Sequence, residues 1–250
     1  MEKSEISSLT SKLKDLITTY PPLSCLSLSD DELRLMVKHL ALVIEKNKVM
    51  NLTRILDPDD ALVLHILDSL LFLAPPNIDI SPEDNLLDIG TGAGFPGIPL
   101  TIATGCHSGL LDSVGKKVKA VEDFSLQLGL SKKIDCFHCR AEELPNISKQ
   151  RYQFVVARAV APTNVLVEYA SPLLNTNGFL LVSKGNPSDE EISSSLVAAD
   201  ICGLKLVSRE TYELPSGFGH REIIIFMKEK YPKIKLPRKV GMAKNHPLGI

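Results

Sequence analysis

The chain has 250 residues, 44% of them hydrophobic, and a formal net charge of −2. That length and composition suit one α/β domain with an appendage and supply a sizeable core. No apolar run approaches the ~20 residues that span a bilayer, and the polar start Met1-Glu2-Lys3-Ser4-Glu5 lacks the basic and apolar regions of a signal peptide. Five scattered cysteines read as reduced thiols of a cytoplasmic protein. The small net charge hides an asymmetry: residues 1–80 sum to −4 and residues 228–250 to +6. A basic tail on an acidic chain points to a polyanionic partner, with a frayed, solvated terminus as the bland alternative.

In chain order, Asp30-Asp31-Glu32 precedes Leu33, Met36, Val37, Leu40, Ala41 and Ile44, a helical spacing with acids in the first turn. Asp57-Pro58 opens a second helix through Leu62, Leu64, Ile66, Leu67, Leu70 and Leu71, and Ala74-Pro75-Pro76 ends it. Beyond Ile80 strands and helices alternate. Strands are expected at Asn85–Ile89, Ser108–Asp112, Ile134–Cys139, Phe154–Ala157 and Phe179–Ser183. Helices are expected at Gly97–Thr104, Gly115–Leu128, Thr163–Leu174 and Ser188–Ala199. Leu204–Leu214 and Glu222–Met227 read as two strands with no helix between them. The expectation is a mostly parallel sheet with helices on both faces and an antiparallel edge hairpin. Three parts result: a helical cap over 1–75, an α/β domain over 76–230 and a basic tail over 231–250.

The most informative stretch is Asn85-Leu86-Leu87-Asp88-Ile89-Gly90-Thr91-Gly92-Ala93-Gly94-Phe95-Pro96-Gly97. An apolar strand ends in an acid, a glycine-rich turn follows, and a helix begins, as in sheets that hold an adenosine cofactor at a strand's carboxyl end. Two cofactors fit. Gly92, Gly94 and Gly97 match G-x-G-x-x-G with Asp112 twenty positions after Gly92, which suits an NAD-dependent oxidoreductase. Asp88-Ile89-Gly90-Thr91-Gly92-Ala93-Gly94 equally matches the acidic-x-G-x-G-x-G loop of enzymes that use S-adenosyl-L-methionine. The strand-end acid Asp88, the late start after a helical cap and the closing hairpin favour the second. Pro96 and Pro99 also remove two of the amides a pyrophosphate would want at a helix start. Asp112, at the end of the second strand, suits both ribose hydroxyls; its bland role is a cap on the helix near Gly115.

The residues also resemble a known family. Asp88 to Leu100, DIGTGAGFPGIPL, closely resembles the signature of the RsmG (GidB) family of bacterial 16S ribosomal RNA guanine-N7 methyltransferases. Further matches are Asn51-Leu52-Thr53, His65-Ile66-Leu67-Asp68-Ser69-Leu70, Leu111-Asp112-Ser113 with Lys116-Lys117, and Arg140-Ala141-Glu142-Glu143. Arg158-Ala159, Lys184-Gly185 and Pro237-Arg238-Lys239-Val240-Gly241 with Lys244 and Pro247-Leu248 complete them. The resemblance covers the chain from about Asn47 onward. It departs at Leu64, where an Arg commonly stands, and at Ala157 and Val160, where Ser and Phe are common.

The resemblance implies a Rossmann-like class I methyltransferase fold and methylation at N7 of guanine 527 in the 530 loop, on free 16S rRNA or the small ribosomal subunit. It implies contacts to the cofactor from Gly90 and Phe95, with Ala141-Glu142 beside the adenine. Asp88, Gly92, Asp112 and Arg158 join that set, and Arg158 is also expected to border the methyl-transfer pocket as the candidate catalytic residue, or else to pair with a carboxylate such as Glu142. His65, Lys184, Arg238, Lys239 and Lys244 are the expected RNA contacts. Guanine N7 carries an unprotonated lone pair, so no general base is required, and no triad is visible. Cys136-Phe137-His138-Cys139 has C-x-x-C spacing without a second ligand pair, so no metal is expected. A non-catalytic rRNA-binding assembly factor remains the alternative from another class; RNA binding without methyl transfer would distinguish it.

Overall fold

A computed structural model describes residues 2–250. Its sheet is built from β1 (Asn85–Ile89), β2 (His107–Asp112), β3 (Ile134–His138), β4 (Tyr152–Arg158), β5 (Leu174–Lys184), β6 (Leu204–Leu214) and β7 (Gly219–Lys228). The strand order is β3-β2-β1-β4-β5-β7-β6. The first five strands pair in parallel, and β7 runs antiparallel to both β5 and β6. The order reverses between β1 and β4, and ligands of open α/β sheets bind outside the strands' carboxyl ends at such a point.

Consecutive side chains along the central strands enter two separate cores, as a period of two demands. Leu86, Val156, Leu181, Ile223 and Ile225 join one cluster; Leu87, Val155, Leu180, Val182 and Ile224 join the other. The first cluster also contains the inward residues of α1 (Lys3–Thr19), α2 (Asp30–Asn47), the helical segment α3 (58–73), α4 (Gly97–Thr104) and α5 (Gly115–Gln127). The cap thus shares a core with the sheet. The second cluster is closed by α6 (Thr163–Ala170) and α7 (Asp189–Cys202).

Local chemistry sets the helix ends. Ser29 and Glu32 form a reciprocal capping box at the start of α2, and Asp30, Asp31 and Glu32 face the positive end of its dipole. Ser188 accepts from the Glu191 amide at the start of α7. Asp57 caps α3, with Pro58 in its first turn. Within α3 the expected regular helix gives way: residues 62–67 form a π turn, in which the Asp68 amide reaches the Val63 carbonyl. The helix expected over Thr163–Leu174 ends at Ala170, because Leu174 already pairs with Tyr152 as the start of β5.

The tail is not frayed. Leu236 and Leu248 pack against the second core, and the Leu248 carbonyl accepts from Asn164 Nδ2 at 2.9 Å. Residues 231–250 therefore lie back along α6 and α7.

Candidate functional site: a glycine loop beside a cationic cavity

The glycine loop leaves β1 and is tied at once to β2. The Gly90 and Thr91 amides donate to the Leu111 carbonyl at 2.7 and 2.9 Å. Asp88 is fully buried; its Oδ2 accepts from the Gly97 amide at 2.9 Å, while Oδ1 has no partner. Burial pushes this carboxyl up to about 6, with the nearby Thr91 hydroxyl and the Gly97 amide pulling the other way. Gly97 lies so close to β2 that a Cβ there would stand 2.2 Å from Leu110 Cδ2. Gly92 needs glycine for a different reason: its φ is +60°, and little stands near where a Cβ would be.

Asp112, 7% exposed at the end of β2, accepts from the Gly92 amide at 3.1 Å through Oδ2 and from the Val114 amide at 2.8 Å through Oδ1. It thus ties the glycine loop to the turn that leads into α5, whose start carries no side-chain cap. Ala141 and Glu142, in the loop after β3, are buried. The Glu142 side chain accepts from the Gly241 amide of the tail at 2.9 Å. The loop after β4 reaches back over the glycines: Ala159 has φ +56°, and Val160 packs against Gly90.

Phe95 is buried between two histidines of the cap. His65 stacks on it with ring centroids 4.6 Å apart and planes at 9°, and His39 lies 4.4 Å away at 36°. His39 Nε2 donates to the Ala93 carbonyl at 2.9 Å, so α2 grips the loop directly. Burial lowers His39 to about 4 and His65 to about 3, so both rings are neutral near pH 7. His65 Nε2 meets Thr53 Oγ1 at 2.8 Å. His39 escaped the sequence reading; its signal is a polar side chain beside Leu40 on the inward face of α2.

Next to the loop, a cavity of about 440 Å³ opens at the ends of β4 and β5. Ile55, Leu64 and His65 form its cap side, and Arg158, Lys184 and Arg221 its sheet side. Arg158 donates through Nη1 to Asp68 Oδ2 at 2.9 Å and to the Leu64 carbonyl at 3.1 Å. Its partner is therefore Asp68 and not Glu142, which the tail occupies. Arg221 Nε donates to the other Asp68 oxygen at 3.0 Å. Neither Asp68 nor Arg221 figured among the expected site residues. Lys184 pairs with Glu191 at 2.6 Å and donates to the Ala161 carbonyl at 2.8 Å.

The tail residues divide. Arg238 forms a two-pronged pair with Glu168, with Nε 2.7 Å from Oε1. Lys239 and Lys244 are exposed and make no ion pair among the described residues. Of the expected RNA contacts, His65 and Lys184 thus line the cavity, whereas Arg238, Lys239 and Lys244 lie on the tail.

These residues fit an adenosyl cofactor. Gly92 keeps its stretch of backbone bare, Asp88 Oδ1 lacks a partner, and Asp112 stands at the neighbouring strand end. Fold and site together define a Rossmann-like methyltransferase. The comparisons give the family. A profile described as rRNA small subunit methyltransferase G matches residues 32–216. Ribosomal RNA small subunit methyltransferase G of Alkaliphilus oremlandii is 32% identical over 240 residues, covering 95% of this chain and 99% of the relative. The protein of the same name from Desulforamulus reducens is 36% identical over 214 residues, covering 84% and 88%. Among solved structures, the [4+2]-cyclase SpnF aligns with a TM-score of 0.52 at 15% identity over 65% of this chain and 80% of that one, a likeness of fold alone. The chain belongs to the rRNA small subunit methyltransferase G family.

Proposed function

We propose that this protein transfers a methyl group from S-adenosyl-L-methionine to N7 of a guanine in 16S ribosomal RNA, with guanine 527 in the 530 loop as the target. The observation that carries the reading is the pairing of the Asp88–Gly97 loop and Asp112 with a cationic cavity at the next strand ends, bordered by Arg158. When bound, the cofactor supplies a methyl group on a sulfonium that leaves readily. Gly90, Gly92 and Asp112 hold it, with Ala141 and Glu142 flanking its adenine. Phe95, fixed by His39 and His65, sets the floor of the loop.

Guanine N7 presents a lone pair, so the protein need not remove a proton. Its task is to align the base and exclude water. Arg158 suits an O6/N7 edge or a neighbouring phosphate, because a guanidinium offers several fixed donors. Its anchorage on Asp68 and Leu64 pre-sets that geometry. The target base must be unpaired or flipped to enter the cavity. Residues 1–75 act as the cap over the site, 76–230 as the catalytic domain and 231–250 as a strap, on which Lys239 and Lys244 face RNA while Arg238 anchors. The five free thiols suit a cytoplasmic enzyme. The test is to map N7-methylguanosine in 16S rRNA from cells with and without the gene. Loss of the mark at one guanine is expected; an unchanged methylation map refutes the proposal.

A further inference from the structure

Asp68 is 3% exposed and holds two arginines that come from different strands, Arg158 at the end of β4 and Arg221 near the start of β7. One carboxylate neutralises one guanidinium. Lys184 has its own partner in Glu191. The cavity wall therefore carries one uncompensated positive charge. Arg221 uses Nε on Asp68 and Nη1 on the His220 carbonyl, at 2.7 Å. Its Nη2 donates to no acceptor among the described residues, and its side chain is 20% exposed on the cavity wall. An unpaired charge with a free, oriented donor beside a cavity of about 440 Å³ suits a singly charged oxyanion that accepts forked hydrogen bonds, and in an RNA substrate that group is the phosphodiester.

We propose that Arg221, set in place by Asp68, binds the backbone phosphate of the target nucleotide and so holds the base in the cavity that Arg158 borders. The inference rests on the RNA methyltransferase reading and deepens it by naming a phosphate contact on β7. Asp68 is a positioning residue: it fixes both arginines relative to the cap, from the position that directly follows the π turn. The shared carboxylate also keeps the two guanidinium groups from repelling each other before RNA arrives.

The experiment compares the full-length protein with its Arg221→Gln and Arg221→Lys variants on small ribosomal subunits lacking the modification. Labelled S-adenosylmethionine reports methyl transfer, and filter binding across a salt series reports affinity. Arg221→Gln is expected to raise KM for the RNA substrate at least fivefold while KM for the cofactor stays fixed. It should also reduce the slope of log K against log salt by about 0.7, the share of one phosphate on a single strand. Arg221→Lys keeps the charge and should restore the slope while recovering only part of KM. An unchanged RNA KM and salt slope in Arg221→Gln overturns the proposal, as does a parallel rise in the cofactor KM, which marks general damage to the fold. Absence of any methyl transfer by the unaltered protein would instead defeat the underlying functional reading, and the salt slope would still judge the phosphate contact.

Discussion

Replacing Arg238 by Ala separates the two roles a basic tail can play. Glu168 is 3% exposed and receives both prongs of the Arg238 guanidinium, whose side chain is itself only 19% exposed. Removing one partner of a buried pair costs about 3–5 kcal/mol, mostly through the charge left behind. For a chain of this size that corresponds to a fall in Tm of roughly 6–20 °C. Because the tail is terminal, some of the cost is relieved by its peeling away, which lets water reach Glu168. The loss therefore shows both in thermal denaturation and in protease cleavage after residue 231. The double variant Arg238→Met, Glu168→Leu removes both charges and should recover most of the stability, since an apolar pair of similar volume is often as good as a buried ion pair. In that double variant the salt dependence of RNA binding should match the unaltered protein, because Arg238 faces Glu168 and not a phosphate. An Arg238→Ala protein with unchanged Tm and an equally protected tail would refute the reasoning. A lower salt slope in the double variant would return Arg238 to the RNA surface.

Other outcomes follow from the same geometry. Arg158→Ala should cut methyl transfer while leaving calorimetric affinity for S-adenosylhomocysteine nearly intact; unchanged turnover would count against its role at the base. Asp112→Ala should weaken S-adenosylhomocysteine at least tenfold, from charged hydrogen bonds worth about 1.5–3 kcal/mol each, and the unaltered protein should not bind NAD. Equal affinity in the variant, or NAD binding, defeats the assignment. Gly97→Ala places a methyl 2.2 Å from Leu110 Cδ2 within a buried site, so urea denaturation should show a loss of about 1–3 kcal/mol, and an unaltered midpoint would contradict it. His39 is held near 4 in the folded protein against 6.5 when exposed. The folded state thus favours the neutral ring, and its contribution is complete above pH 6.5 and lost as pH falls toward 4. The loss approaches about 3 kcal/mol. Relative to the unaltered protein, His39→Phe should be less sensitive to acid across that window, and parallel stability curves would sink the claim.

The sheet was legible because short apolar runs between glycines and prolines have few other uses. β1 coincides with the expected Asn85–Ile89, and α4 with Gly97–Thr104. The glycine loop and Asp112 were legible for the same reason, since a left-handed turn and a strand-end acid are local signals. What escaped were pairings across long stretches of chain. Asp68 meets Arg158 and Arg221 over separations of 90 and 153 residues, and no local pattern announces either. The tail lacks periodicity, so its docking through Glu168 and Glu142 was invisible and its charge alone suggested exposure. Helix α1 was only implied, although Leu9, Leu13 and Ile17 recur at fourfold spacing on its buried side. The end of α6 was misjudged because Leu173 and Leu174 suit a helix or a strand equally, and pairing with Tyr152 decides it.

The π turn at residues 62–67 makes the length of α3 as consequential as its composition. Each residue of an α-helix advances the chain by about 100°. The wide turn accommodates surplus length between Asp57, where the helix starts, and Asp68, which must meet both arginines. Excising Leu62 or Val63 removes that surplus, so the segment should relax to ordinary helix with Asp57 and Asp68 still in phase. A further residue has no such slack. An alanine inserted after Val63 would turn Asp68 by about 100° and carry its carboxylate away from β4 and β7. Insertion at this turn should therefore harm catalysis more than deletion, although neither changes the apolar face.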